Sequence, residues 1–409
     1  MYMKNQQLPL VIATRNSDLA LWQARMVQQL IAEHPVFSQF QPILLPMVST
    51  GDKKLETSLA KVGGKGLFTY ELEQAMEQRQ AQIAVHSLKD VPVTPDQKYT
   101  YSYLGRVYYE DVAVFPTGSK WTRLEDLPQD SVVGTASVRR RALLANKYPH
   151  LKVKLLRGNV NTRLAKLDDP AQGYDAIILA RAGLERLGLL ANYNYQILDQ
   201  FDWVSAPGQG IVAIQWDKAQ LPSILAPLLN DPVNYVLSYL ERTVSAKLGG
   251  SCSLPLGVYA YFINSEGKAI SSSQLSKAFQ EQQAQILPQL LARVQPTTKQ
   301  NNLDSEQLKL IVKTYLELIS SDPTLKKALA AFDIQQVRIN FYAGDLQAQE
   351  FTLNRAYTIT FNHEHLVNYH SPQVTALLNH IIQDIVEEAK FAGFEKLLPI
   401  VERQLADKQ

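Results

Sequence analysis

The chain has a single cysteine, Cys252, so it can form no internal disulfide, and a reducing compartment is its natural setting. It lacks any apolar run of membrane-spanning length. Its opening stretch, residues 1–10, carries one lysine and an apolar run too short for a secretory signal. These absences predict a cytoplasmic protein with no membrane partner. Net charge is small as well, +2 over 409 residues, so the molecule as a whole is no magnet for polyanions.

What charge there is lies unevenly. Between Ser131 and Leu190 eleven Lys and Arg face four acidic residues, an excess of seven, which leaves the remaining chain about five negative. A focused excess of this kind predicts one anionic ligand site in place of a broad nucleic-acid surface. The length is too great for one ordinary core and predicts two or three domains.

Apolar runs and helical periodicities alternate over the first half. Strands are expected at 8–14, 43–48 and up to His86, with helices at 17–33 and 69–78. The pattern repeats with strands at 131–135, 151–156 and 174–180 and helices at 138–147, 161–167 and 182–187. Two α/β units with largely parallel sheets follow, and a cleft between them. Pro207-Gly208-Gln209-Gly210 punctuates the return, and 211–215 reads as a strand able to rejoin the first unit. Beyond residue 220 come a helix at 233–248 closed by Gly249 and Gly250, a strand at 256–263, a helix at 274–294 and a final helix at 374–391.

Ile83-Ala-Val-His-Ser-Leu-Lys-Asp90 is an apolar strand that breaks abruptly into His86, Ser87, Lys89 and Asp90. Open α/β sheets bind ligands beyond the carboxyl ends of their strands, so Asp90 is expected at the cleft, where it can hold a cation or move a proton. Thr14-Arg15-Asn16-Ser17 leads from strand to helix, with Ser17 as cap and Arg15 beside free amides, a seat for a carboxylate or phosphate. Gly134-Thr135-Ala-Ser137-Val-Arg139-Arg140 and Arg157-Gly-Asn-Val-Asn-Thr-Arg163 deliver guanidinium forks at two more helix starts, suited to several carboxylates at once.

Lys61-Val-Gly-Gly-Lys65-Gly-Leu-Phe68 is not a nucleotide loop. Leu59 occupies the first glycine position and Gly66 stands where Ser or Thr would hold magnesium. It remains a glycine loop able to bring Lys61 and Lys65 to an acidic ligand. Cys252 sits in Gly249-Gly-Ser-Cys-Ser-Leu-Pro, a loop that can expose a thiol, though a small buried hydrophobe is the commoner fate of a lone cysteine. His363, His365 and His370 lack an HExxH pattern, and 358–365 alternates like a solvent-facing strand, so no metal site is expected.

In combination, Ile-Ala-Thr-Arg15-Asn-Ser17, Ala-Leu-Trp-Gln23-Ala, the Lys61–Phe68 loop, Ala-Val-His-Ser87-Leu-Lys89-Asp90, Leu-Arg157-Gly-Asn-Val and Gly-Gln209-Gly closely resemble the porphobilinogen deaminase family over roughly residues 8 to 260. The resemblance implies two doubly wound α/β domains resembling type II periplasmic binding proteins, plus a C-terminal α+β domain. The expected division is 1–105 with 206–228, then 106–205, then 229–409.

The resemblance further implies a dipyrromethane joined to Cys252 by a thioether, on which four porphobilinogen molecules are condensed with loss of ammonia before hydrolysis frees hydroxymethylbilane. Asp90 becomes the catalytic residue. Cys252, Ser17, Lys89, Thr135, Ser137, Arg139, Arg140, Arg157 and Arg163 become cofactor contacts, and Arg15, Gln23, Lys61, Lys65, Phe68, Ser87, Arg186 and Gln209 substrate contacts. Each pyrrole carries acetate and propionate groups, so a growing chain needs the cations this sequence concentrates.

Two features depart from the family. Ser251 stands where glycine commonly precedes the cysteine, and Arg106-Val-Tyr-Tyr-Glu-Asp111 replaces the usual hinge sequence. A tail of 157 residues after Cys252 is longer than the family implies. It is read as an enlarged cofactor domain on an expected monomer, or as an added partner or oligomer surface. Two rivals stand beside the enzyme: a relative that binds a pyrrole chain or other polycarboxylate without turnover, and a generic solute-binding module.

Overall fold

A computed structural model describes residues 7–48, 69–199, 202–248, 255–293, 303–344 and 351–391. The first unit contains β1 (Leu8–Arg15), α1 (Asp18–Glu33), β2 (Phe40–Met47), α2 (Tyr70–Glu77), β3 (Ile83–Ser87) and β4 (Tyr99–Tyr103). The second contains β5 (Asp111–Val114), β6 (Val132–Gly134), α3 (Val138–Lys147), β7 (Lys152–Lys154), α4 (Val160–Asp168), β8 (Ala176–Ala180), α5 (Arg181–Arg186) and β9 (Tyr195–Ile197). The chain then returns as β10 (Val212–Asp217).

The two five-stranded sheets share one plan, β2-β1-β3-β10-β4 and β7-β6-β8-β5-β9. In each, three parallel strands are followed by one antiparallel strand that arrives from the other unit, β10 beside β3 and β5 beside β8. The other four strands of each sheet run one way, so the sheets are largely parallel as expected, with β10 and β5 the exceptions. A strand that enters directly from a neighbouring domain needs no helical crossover, so nothing forces it parallel. Both faces of each sheet are covered. Leu10 and Ile12 pack with Ala24, Val27 and Ile31 of α1, while Ala13 packs with Leu72, Ala75 and Met76 of α2. That double burial is why β1 reads as a continuous apolar run.

The third unit holds α6 (Pro232–Lys247), β11 (Leu256–Asn264), β12 (Ala269–Ile270), α7 (Ser272–Arg293), α8 (Ser305–Ser321), α9 (Pro323–Ala330), β13 (Ile334–Gly344), β14 (Phe351–Thr360), α10 (His363–Val367) and α11 (Pro372–Phe391). Its antiparallel sheet has the order β12-β11-β13-β14. Strand periodicity divides β11 between two neighbours. Val258, Ala260 and Phe262 join the helices and the core of the first unit, whereas Tyr259, Tyr261 and Ile263 pack on the second unit with Trp203 and Phe115.

The strand expected through 358–365 is corrected. β14 ends at Thr360, and His363 and His365 lie in α10, where Asn362 caps the helix and the His365 ring accepts from the Asn362 amide at 3.4 Å. A polar Asn before an i, i+3 reciprocal bond is a capping box, and it overrides the short alternation.

Candidate functional site

The proposed ligand residues gather where parallel strands end. Arg15 closes β1 and Ser17 caps α1, its hydroxyl accepting from the Ala20 amide at 3.4 Å. Ser87 closes β3, and Lys89 and Asp90 sit on the single 3-10 turn that follows. In the second unit, Thr135 and Ser137 precede α3, Arg139 and Arg140 lie in its first turn, Arg157 ends the approach to α4 and Arg163 lies within α4. Gln23, buried on α1, donates to the Ser87 hydroxyl at 2.9 Å.

Asp90 is exposed, with cations within reach of its charge. Both Lys89 and Arg163 feel its charge. Burial, with Arg140 nearby, brings the Lys89 ammonium down to about 8. Burial also brings Arg163 down to about 10, with Arg140, Arg157 and Arg15 adding like-charge repulsion. Positive groups crowded this closely favour a ligand carrying several negative charges.

Sequence reasoning missed the anchor of this array. Asp111, fully buried at the start of β5, accepts from Arg139 Nη2 at 2.8 Å and Arg140 Nη2 at 2.6 Å. It also accepts from Trp203 Nε1 and Gln209 Nε2, each at 2.9 Å. Burial alone would raise this carboxyl, but Arg139 and Arg140 hold it well below the usual carboxylate range. The other Nη atoms of the pair donate to the Val204 and Ile178 carbonyls. The two arginines therefore reach the crevice as fixed charge more than as free forks. A carboxylate opening an otherwise apolar buried strand, Asp-Val-Ala-Val, was the available signal.

Gln209 ties the halves together. Its Nε2 donates to Asp111 and to the Tyr109 carbonyl at 2.7 Å, and its Oε1 accepts from Lys89 Nζ at 3.3 Å. Arg186 donates to the Gly210 carbonyl at 2.7 Å and lies over the Trp22 ring at 5.7 Å, and burial brings it down to about 10. Thr135 and Ser137 use their oxygens locally, accepting from the Ser137 and Arg140 amides. Each hydroxyl keeps its proton for a ligand.

His86 faces the interior. It is buried, bonded to Gln215 Oε1 at 2.8 Å, and brought by burial to about 4, so it stays neutral. Cys252, Lys61, Lys65 and Phe68 lie outside the described residues.

A family model described as "Porphobilinogen deaminase, dipyromethane cofactor binding domain" matches residues 10–222. Porphobilinogen deaminase of Thiobacillus denitrificans is 44% identical over 256 residues, covering 62% of this chain and 81% of that protein. The Chromobacterium violaceum protein of the same name is 44% identical over 254 residues, 61% of this chain and 79% of its own. Among solved structures, the periplasmic VFT2 domain of Bordetella pertussis BvgS aligns over 54% of this chain and 85% of that one, at 12% identity and a TM-score of 0.34.

Proposed function

The chain belongs to the porphobilinogen deaminase family, and on that premise we propose that it is a hydroxymethylbilane synthase, joining four porphobilinogen molecules with release of ammonia and freeing the linear tetrapyrrole by hydrolysis. The observation that carries the reading is the exposed Asp90 on a strand-end turn, set among Lys89, Arg15, Arg140, Arg157 and Arg163.

The donor set fits a dipyrromethane. Cations outnumber carboxylates in the crevice, and the buried Nε atoms of Arg140 and Arg186 have no acceptor among the described residues. Acetate and propionate groups would supply what these donors lack. When bound through Cys252, the dipyrromethane supplies the pyrrole on which the chain of substrates is built. Ser17, Lys89, Thr135, Ser137, Arg139, Arg140, Arg157 and Arg163 would hold it. Arg15, Gln23, Lys61, Lys65, Phe68, Ser87, Arg186 and Gln209 would receive the incoming porphobilinogen.

Loss of ammonia from an aminomethylpyrrole leaves positive charge spread onto the ring nitrogen. Asp90 stabilises that charge as it develops and exchanges the proton that joining two pyrroles must release. Lys89, fixed by Gln209, and the arginines neutralise the carboxylates without competing for the proton, because their charge persists at neutral pH. Asp111 supports this role by holding Arg139 and Arg140 in place.

The division expected from the sequence assigns Asp90 to 1–105 with 206–228, the arginines to 106–205 and Cys252 to 229–409, and the exchange of β5 and β10 supports it. We place the enzyme in the cytoplasm, since a thiol reserved for a cofactor must stay reduced, as a monomer or with its C-terminal extension as a partner or oligomer surface.

Purified protein given porphobilinogen is expected to release ammonia and a linear tetrapyrrole, and Asp90→Asn to lose nearly all of that turnover with its fold intact. Binding of porphobilinogen without ammonia release would favour the rival that binds and does not react. Ordinary activity of Asp90→Asn would remove Asp90 from the chemistry.

A further inference from the structure

The turn that bears Asp90 closes itself with little. Leu88–Asp90 is one 3-10 turn, held by the Val91 amide on the Leu88 carbonyl at 3.1 Å and by the Leu88 amide on the Ile211 carbonyl at 2.9 Å. The carbonyls on either side of Asp90 have room for further donors, and these stabilise the turn.

They come from the third unit. Arg242 on α6 is 6% exposed, and its Nη1 donates to the carbonyls of Leu88 and Val91 at 3.4 and 3.2 Å, while Nη2 donates to that of Pro92. A planar fork can grip three carbonyls of one turn, whereas an ammonium at the end of a flexible stem grips as a point. The preceding residue, Glu241, bonds Arg106 and the Gly208 amide, both on segments joining the two α/β units. Gly208 has φ +72° and no room for a Cβ, which would lie 2.8 Å from Leu88 Cγ. Two adjacent residues of α6 thus fix the Asp90 turn and the interdomain crossings, eleven and ten residues before Cys252 in sequence.

We propose that Arg242 is a positioning residue that sets Asp90 from the domain carrying the cofactor cysteine. This rests on the deaminase reading above. The carbonyls that Arg242 holds are not part of the arginine array, so its loss should misplace the acid while leaving carboxylate capture in place.

The test compares wild type, Arg242→Gln and Arg242→Lys by hydrogen exchange of the peptide spanning 86–93, by kcat and KM, and by intact mass of the denatured protein. Arg242→Gln should exchange about tenfold faster at 86–93 with domain-two peptides unchanged. Its kcat should fall by about tenfold or more at a KM within about twofold, since small misplacements of catalytic groups cost rate more than binding. Its mass should still carry the adduct, its activity–pH profile should keep the wild-type shape, and Arg242→Lys should recover part of both losses.

Unchanged exchange at 86–93 would overturn the proposal, as would a defect confined to KM or an adduct missing from Arg242→Gln but present in wild type. Should Arg242→Gln fail to fold, Arg242→Lys decides, because wild-type protection of the turn in that variant contradicts the need for a fork. A wild type lacking both adduct and ammonia release would sink the deaminase reading, and the exchange arm would still report whether Arg242 holds the turn.

Discussion

Arg106 and Glu241 meet through two parallel hydrogen bonds of 2.9 and 2.7 Å, with each side chain 1% exposed. The same carboxylate accepts from the Gly208 and Ala260 amides, so one buried anion joins both interdomain crossings to β11. Removing one partner of such a pair leaves a buried charge uncompensated, which costs more than the pair itself contributes. Glu241→Gln should lower unfolding free energy in urea by about 3 to 5 kcal/mol. A change under about 1 kcal/mol would mean that Arg106 finds another partner or reaches solvent.

Asp111 predicts a pH dependence. Its folded-state affinity for a proton is depressed by Arg139 and Arg140, so the unfolded chain takes up a proton first on acidification. The stability it contributes is present above the ordinary carboxylate range and is lost as pH falls through that range and below. Asp111→Asn should flatten this acid limb in denaturation measured from pH 7 downward. It should also weaken primer loading by loosening both arginines. An acid limb identical to wild type would assign it to other carboxylates.

The placement of the candidate arginines at strand-to-helix junctions was legible in the sequence because such junctions are local events. Ser17, Ser137 and Asn159 cap their helices as polar residues at such junctions should, and Arg15, Arg140 and Arg163 follow from them. Asp111, Glu241 and Arg242 were not legible as a network. Their partners lie 19 to 154 residues away in the chain, and most of that pairing depends on the domain exchange of β5 and β10. His86 stands within the polar motif, yet the strand's alternation turns it inward to Gln215.

Lys89 should set the alkaline side of the activity profile. Burial, with Arg140 close by, brings its ammonium down to about 8, so it loses its charge as pH rises through that value. A neutral amine no longer attracts carboxylates, and kcat/KM should fall above about pH 8. Lys89→Arg should move that limb to higher pH. A limb that stays put in the variant would assign it to another group.

Gly210 has φ +87°, and a Cβ there would lie 2.1 Å from the Tyr108 carbonyl oxygen. That oxygen belongs to main chain on the opposite interdomain crossing, so it cannot simply rotate away. Gly210→Ala should destabilise by more than about 1 kcal/mol, read as a shifted urea midpoint. An unshifted midpoint would show that the two crossings part without cost.

The central claim is that Cys252 carries a covalent primer held by this cationic crevice. Intact mass measurement of the freshly purified, denatured protein tests it most directly. The account predicts a mass above that of the polypeptide by two linked pyrroles, with the excess mapping to the peptide that contains Cys252. A bare thiol that remains bare after incubation with porphobilinogen would contradict it.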